Sequence, residues 1–219
     1  VNLAIFDLDN TLLGGDSDHA WGEFLVANDI VDGEAYKTAN DYFLQQYRDG
    51  GLNINEFLEF ALKPLSQHPK SQLDRWHKQF MTESVSSMRL AKADQLLAKH
   101  RAAGDYLLII TATNSFVTGP IATAMGVDHI IATEPEVVDG SFTGRVLGTP
   151  CFQEGKVTRL RQWLAASGHS LAGSYFYSDS HNDLPLLNLV DNPIAVDGDD
   201  ILLATAKKRG WPAISLREN

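Results

Sequence analysis

Short apolar runs alternate with stretches of helical spacing along most of the chain. Leu3-Ala4-Ile5-Phe6, Leu107-Leu108-Ile109-Ile110, His129-Ile130-Ile131-Ala132, Tyr175-Phe176-Tyr177 and Ile194-Ala195-Val196 have the length and the β-branched or aromatic content of buried strands. Between them, residues 116–125, 156–166 and 184–190 repeat apolar side chains at helical spacing. Strands separated by helices build a parallel sheet, with helices on both faces and ligands at the carboxyl ends of the strands. The expected class is α/β. Residues 137–146 depart from the rhythm, because Asp139-Gly140 between two alternating segments signals a small hairpin. Residues 16–86 depart further. Trp21, Phe24 and Leu25, then Phe57, Leu58, Ala61 and Leu62, keep helical spacing, turns are expected at Asp32-Gly33, Gly50-Gly51 and Lys63-Pro64, and no strand pattern occurs. The chain thus divides into a core, residues 1–15 and 87–219, and an all-helical insert, residues 16–86.

The first strand stops at Asp7-Leu8-Asp9-Asn10-Thr11. Carboxylates at i and i+2 of an extended backbone share one face, where they repel unless a cation lies between them. A hard ion such as Mg²⁺ suits the pair, since it takes one or two protein carboxylates and leaves positions for water and phosphate. A strand followed by an Asx turn is the alternative reading of this segment alone. Downstream, Tyr175-Phe176-Tyr177 runs into a second acidic cluster, Asp179-Ser180-His181-Asn182-Asp183. The strand at Leu107 ends in Thr111-Ala112-Thr113, and Lys156 lies near the start of a helix-like stretch.

In this order and at these places, the residues resemble the four motifs of the haloacid dehalogenase superfamily, most of whose members are phosphatases. The Asp-x-Asp-x-Thr motif falls on Asp7, Asp9 and Thr11, the strand-end hydroxyl on Thr111, the lysine on Lys156, and Asp-x-x-Asn-Asp on Asp179, Asn182 and Asp183. Ser178 stands where many relatives carry Gly. The resemblance spans nearly the whole chain and implies a Rossmann-like core. Residues 16–86 would be a helical cap of the C1 type found in the phosphoserine phosphatase subgroup, closing over the site.

The resemblance also implies a mechanism that answers the chemistry of phosphate monoesters. Asp7 would be the nucleophile, forming an aspartyl-phosphate that divides one hard displacement into two easier ones. Asp9 would protonate the leaving oxygen and then activate water, which requires a raised pKa. Mg²⁺ would be held by Asp7, the Asp9 backbone carbonyl and Asp179, with Asp183 ordering metal-bound water. Thr111, the backbone amide at Ala112 and Lys156 would bind phosphoryl oxygens. Asn182 would position Lys156 or the phosphoryl group.

For the substrate, Asp16 lies where the resembling phosphoserine phosphatases carry an acidic residue that meets an ammonium group; an N-cap of a helix beginning near His19 is the competing reading. Arg48, late in a cap helix, would meet a substrate carboxylate or be a solvated surface residue, and His181 is a loop histidine or a substrate contact. Asp16, Asp18, Glu23 and the aromatic content favour an amine-bearing phosphomonoester. Some bacterial members of similar pattern are histidinol-phosphate phosphatases, so histidinol phosphate is the expected substrate. Phosphoserine, another small metabolite, or transfer to an alcohol acceptor are the alternatives.

Composition narrows the class. With 219 residues and 44% hydrophobic content the chain can bury a sizeable core. A formal net charge of −10 argues against a nucleic-acid partner. Cys151 is the one cysteine, so an intrachain disulfide and a two-cysteine redox centre are both excluded. No apolar stretch approaches the roughly 18 residues of a membrane span, and the first residues do not read as a signal peptide. The expectation is a cytoplasmic enzyme, monomer or homodimer, whose partner is a small phosphorylated metabolite.

Overall fold

The computed structural model describes residues 1–217; Glu218 and Asn219, the end of the expected core, lie outside the described residues. Among the described residues, β1 (Leu3–Phe6), β2 (Tyr106–Asn114), β3 (His129–Val138), β4 (Ser141–Leu147), β5 (Tyr175–Ser178), β6 (Asn192–Val196) and β7 (Ala213–Ile214) form one sheet in the order β4-β3-β2-β1-β5-β6-β7. The central strand β1 pairs in parallel with β2 (Ile5↔Leu108) and with β5 (Ile5↔Phe176). Only β4 runs antiparallel, closing the hairpin with β3 that Asp139-Gly140 signals. β7 has two residues, too few to show a period in sequence.

Both faces of the central strands are buried, and successive residues of β1 take opposite sides. Ala4 and Phe6 pack with Leu97 of α6 (Ala91–Ala102) and with Val117 and Ile121 of α7 (Ser115–Met125). Leu3 and Ile5 pack with Val157 and Leu160 of α8 (Glu154–Ser167), Leu186 of α9 (Leu184–Leu187) and Leu202 of α10 (Asp200–Arg209). The helix expected over 184–190 is shorter, a 3-10 turn (His181–Asp183) followed by α9, with Asn188 as its C-cap.

The insert consists of α1 (Ser17–Ala27), α2 (Gly33–Arg48), α3 (Ile54–Ser66) and α4 (Lys70–Phe80), which runs through a π turn into α5 (Ser86–Met88) and back to the core. Asp16 and Asn53 cap α1 and α3 with side-chain oxygens. Gly50, at φ +74°, breaks the chain after α2. The expected turn at Lys63-Pro64 is not one: Pro64 lies buried near the end of α3, where its missing N–H forfeits a single helical bond before the helix stops at Ser66. Leu58, Leu62, Leu65 and Leu73 form an apolar cluster that Phe116, Phe142 and Val146 extend, seating the insert on the β3–β4 hairpin. Among the described residues no helix is long and apolar enough to cross a membrane.

Candidate active site

The carboxyl ends of β1, β2 and β5 meet at the centre of the sheet, and the chain leaves β1 directly into Asp7. Its backbone N–H donates to the Tyr177 carbonyl at 2.9 Å, and the residue is 3% exposed. The following turn contains Asn10 at φ +58°, a left-handed conformation that Asn tolerates better than most residues. That reversal returns Thr11 to the site. Its hydroxyl donates to Asp179 Oδ1 at 2.9 Å and accepts from the Asp179 N–H at 3.0 Å, joining the first motif to the fourth.

Lys156, in the first turn of α8, is 2% exposed. Its Nζ meets Asp7 Oδ1 at 2.9 Å and both oxygens of Asp183 at 2.8 and 2.9 Å. Burial works against the ammonium charge, but Asp183 and Asp7 outweigh it and hold the group above the ordinary lysine range. Burial pushes the Asp7 carboxyl up to about 7, with Lys156 opposing and Asp183 adding. Burial and then the charge of Asp7 raise Asp179 well above the usual carboxylate range. Asp183, expected to order metal-bound water, accepts from Lys156 on both oxygens and from Ser178, whose hydroxyl donates at 2.7 Å. The serine standing at the family's glycine position thus helps anchor the lysine's counterion.

Asp7 and Asp183 share the one ammonium and Asp179 lies beside them without it, which leaves the site short of positive charge. Among the described residues no three His, Cys, Asp or Glu side chains make a ready cage for a metal. Asp7 and Asp179, bridged by Thr11, nevertheless offer the one or two carboxylates that Mg²⁺ takes when water and phosphate supply the rest. The donor set fits a hard divalent cation.

Asp9 is held from two sides. Its Oδ1 accepts from the Ser17 N–H at 2.6 Å, at the start of α1, and its Oδ2 accepts from Thr113 Oγ1 at 2.7 Å. Burial, then the charge of Asp16, pushes its carboxyl up to about 6. The pairing of β2 with β3 shifts register between Ile110 and Asn114, an irregularity of the kind that re-aims side chains, and Thr111, Ala112 and Thr113 all line the cavity. Neither Thr113 nor Ser17 was expected as a partner of Asp9; the signal for Thr113 was its i+2 spacing from Thr111 on the same strand.

The cavity continues from these residues to the insert, where Asp16, Asp18, His19, Phe43, Tyr47 and Phe57 line it. Asp16 is the N-cap of α1, accepting from the His19 N–H at 2.8 Å, and it also faces the cavity, so the two expectations for it are compatible. Burial raises both Asp16 and Asp18 above the ordinary carboxylate value. Arg48 is exposed and lines a neighbouring cleft with Asp179 and Asp199 rather than this cavity, although Tyr47 before it lines both. Asn182 bonds Gln153 and Tyr47 rather than Lys156: its Oδ1 accepts from Gln153 Nε2 at 3.0 Å and its Nδ2 donates to the Tyr47 carbonyl at 3.1 Å. His181 pairs its Nδ1 with Asp199 at 2.8 Å.

Residues 4–188 match the family model of haloacid dehalogenase-like hydrolases. The chain is 44% identical over 220 residues to a histidinol-phosphatase of Neisseria meningitidis serogroup C (strain 8013), with 99% of each chain covered. A crystal structure of a protein of unknown function from Bordetella pertussis Tohama I superposes with a TM-score of 0.93 at 45% identity, covering 99% of both chains. A phospho-aspartyl intermediate analogue of phosphoserine phosphatase shares the fold, with a TM-score of 0.71 at 18% identity over 100% of this chain and 94% of that one. The chain belongs to the haloacid dehalogenase-like hydrolases and is a phosphatase of that family.

Proposed function

We propose that the chain hydrolyses histidinol phosphate in a Mg²⁺-dependent reaction that passes through a phosphoryl group carried on Asp7. The observation that supports this reading most is a single cavity joining Asp7, Asp9 and Thr111 to the carboxylates of Asp16 and Asp18 beside Phe43 and Phe57. A substrate spanning it has a phosphate at one end and a cationic, stackable group at the other. The relative of equal length named as a histidinol-phosphatase points the same way.

In this mechanism Lys156 holds the Asp7 carboxylate in place while it attacks phosphorus and the bond to the alcohol oxygen breaks. Asp9, protonated, gives its proton to that oxygen; in the second step it takes a proton from water, which attacks phosphorus and frees Asp7 and inorganic phosphate. Held by Asp7, Asp179 and the Asp9 carbonyl, Mg²⁺ would supply Lewis-acid charge for the phosphoryl oxygens. Residues 16–86 act as the cap that excludes water and selects the alcohol. A phosphoserine substrate brings a carboxylate; the histidine that lines this cavity, His19, has its Nε2 already paired with Asp41, and Arg48 lines the neighbouring cleft instead.

Phosphate release from histidinol phosphate, phosphoserine and a set of sugar phosphates, each with Mg²⁺ and with EDTA, tests the proposal. Histidinol phosphate should give the highest kcat/KM, EDTA should silence the enzyme and Mg²⁺ should restore it. A preference for phosphoserine, or full activity in chelator, would overturn it.

A further inference from the structure

Tyr47, in the last turn of α2, lines two hollows at once: the cavity that contains Asp7, Asp9 and Thr111, and the cleft that contains Asp179 and Ser180. A side chain common to both forms part of the wall between them, beside the carboxylates of the first and fourth motifs. Its backbone is fixed by the core. The Tyr47 carbonyl accepts from Asn182 Nδ2 at 3.1 Å, and the other end of that amide accepts from Gln153, the residue before α8 and so before Lys156. Its ring lies against Phe152 with centroids 6.0 Å apart. Just beyond, at Gly50, a Cβ would come within 2.7 Å of His181 Nε2, so the end of α2 sits closely on the fourth-motif loop.

The phenol is in unusual company for an insert residue. Asp7 and Asp179 line the two hollows that it borders, and Ser180 lines the second with it. A tyrosine hydroxyl is a hydrogen-bond donor at neutral pH, and this one is held near the place where a phosphoryl group brings negative oxygens.

We propose that Tyr47 is a further catalytic residue whose hydroxyl donates a hydrogen bond to a phosphoryl oxygen of the bound substrate, and that Asn182 positions it through the Tyr47 carbonyl. The inference rests on the phosphoryl group binding at Asp7 but not on which alcohol carries it. It gives the fourth-motif asparagine a role in seating a group from the insert over the reacting centre.

Tyr47→Phe keeps the ring and its packing and removes only the hydroxyl. The measurements are kcat/KM on p-nitrophenyl phosphate and on histidinol phosphate, and the inhibition constant of inorganic phosphate with Mg²⁺. Loss of one hydrogen bond to a charged group should lower kcat/KM by about ten- to a hundredfold, by the same factor on both esters, and weaken inorganic phosphate in step. Asn182→Ala should move the same constants in the same direction and add little in the Tyr47→Phe background, because the two act through one contact. An inhibition constant of inorganic phosphate that Tyr47→Phe leaves unchanged overturns the proposal, since a residue that only walls the alcohol pocket would behave so. Fully additive effects of the two variants remove Asn182 as the positioning residue. If the wild type hydrolyses p-nitrophenyl phosphate and ignores histidinol phosphate, the substrate reading fails while Tyr47 is still read on the generic ester.

Discussion

The two walls of the cavity are built on different physics. Behind the core wall, which Asp7, Asp9 and Thr111 line, Asp7, Lys156, Asp183, Ser178, Thr11 and Asp179 form one chain of hydrogen bonds and ion pairs, where each group is fixed by the next. On the insert wall, Phe43, Tyr47 and Phe57 are half-buried side chains of helices, and those helices are held chiefly by apolar packing such as Leu58, Leu62 and Leu65. Removing one partner from the core network leaves a buried charge uncompensated, whereas exchanging Phe43 or Phe57 on the insert changes shape and little else. On the proposed mechanism the first wall fixes the reaction and the second, the Tyr47 hydroxyl apart, chooses the substrate.

The sharpest way to break that division is to attack the core wall. Asp7→Asn keeps the shape of the side chain and removes the proposed nucleophile, so kcat should fall by more than about a hundredfold for every ester alike. Retention of most of the activity would show that the network is only structural. On the insert wall, Asp16→Asn should lower kcat/KM for histidinol phosphate by about ten- to a hundredfold, the worth of a charge-assisted hydrogen bond, and leave p-nitrophenyl phosphate nearly untouched. Equal losses on the two would mean that Asp16 acts only through the helix cap it makes with His19.

The strand ends were legible because each motif places its charges where a buried strand stops, and that signal is local. The first, second and fourth motifs fall at or near the ends of β1, β2 and β5, and Lys156 opens α8, where the apolar runs and helical spacing pointed. Partners were less legible than positions. Nothing in Asp-x-x-Asn-Asp says that Asp183 goes to Lys156, because a buried lysine takes whichever carboxylate geometry offers. Contacts through backbone groups left no trace: the Ser17 N–H on Asp9 and the Tyr47 carbonyl under Asn182 could be made by almost any residue. Arg48 has the right charge for a substrate carboxylate, but helical spacing alone did not tell which hollow it lines. Pro64 looked like a turn because proline usually ends helices, and it sits where the helix was about to end in any case.

Smaller effects test the seam between the walls. Asp9 is held by the core through Thr113 and by the insert through Ser17. The Thr113 hydrogen bond lowers the Asp9 carboxyl against burial, so Thr113→Val should raise it further above its value of about 6. Since the leaving oxygen needs the protonated form, the alkaline limb of the kcat/KM profile should move to higher pH. A limb that stays in place would separate Asp9 from the proton transfer.

The smallest expected effect concerns docking. His77 on α4 is buried and bonds through Nε2 to the Val117 carbonyl of α7 at 2.8 Å. Burial holds it below the ordinary histidine value of 6.5. The unfolded chain therefore takes up a proton near 6.5 that the native state resists, and the contribution of His77 is present above that pH and lost as pH falls toward its lowered native value. His77→Gln should cost about 1 kcal/mol in urea unfolding at neutral pH, and the gap to wild type should close in mild acid. A gap that widens in acid would reverse the sign of the linkage.

The most direct measurement of the whole account is to mix enzyme, Mg²⁺ and histidinol phosphate, quench in acid within one turnover, and locate the phosphoryl group by mass spectrometry. The account predicts an acid-stable, base-labile phosphate on the peptide containing Asp7, absent from Asp7→Asn. Turnover of histidinol phosphate with the phosphoryl group found on another residue would contradict it.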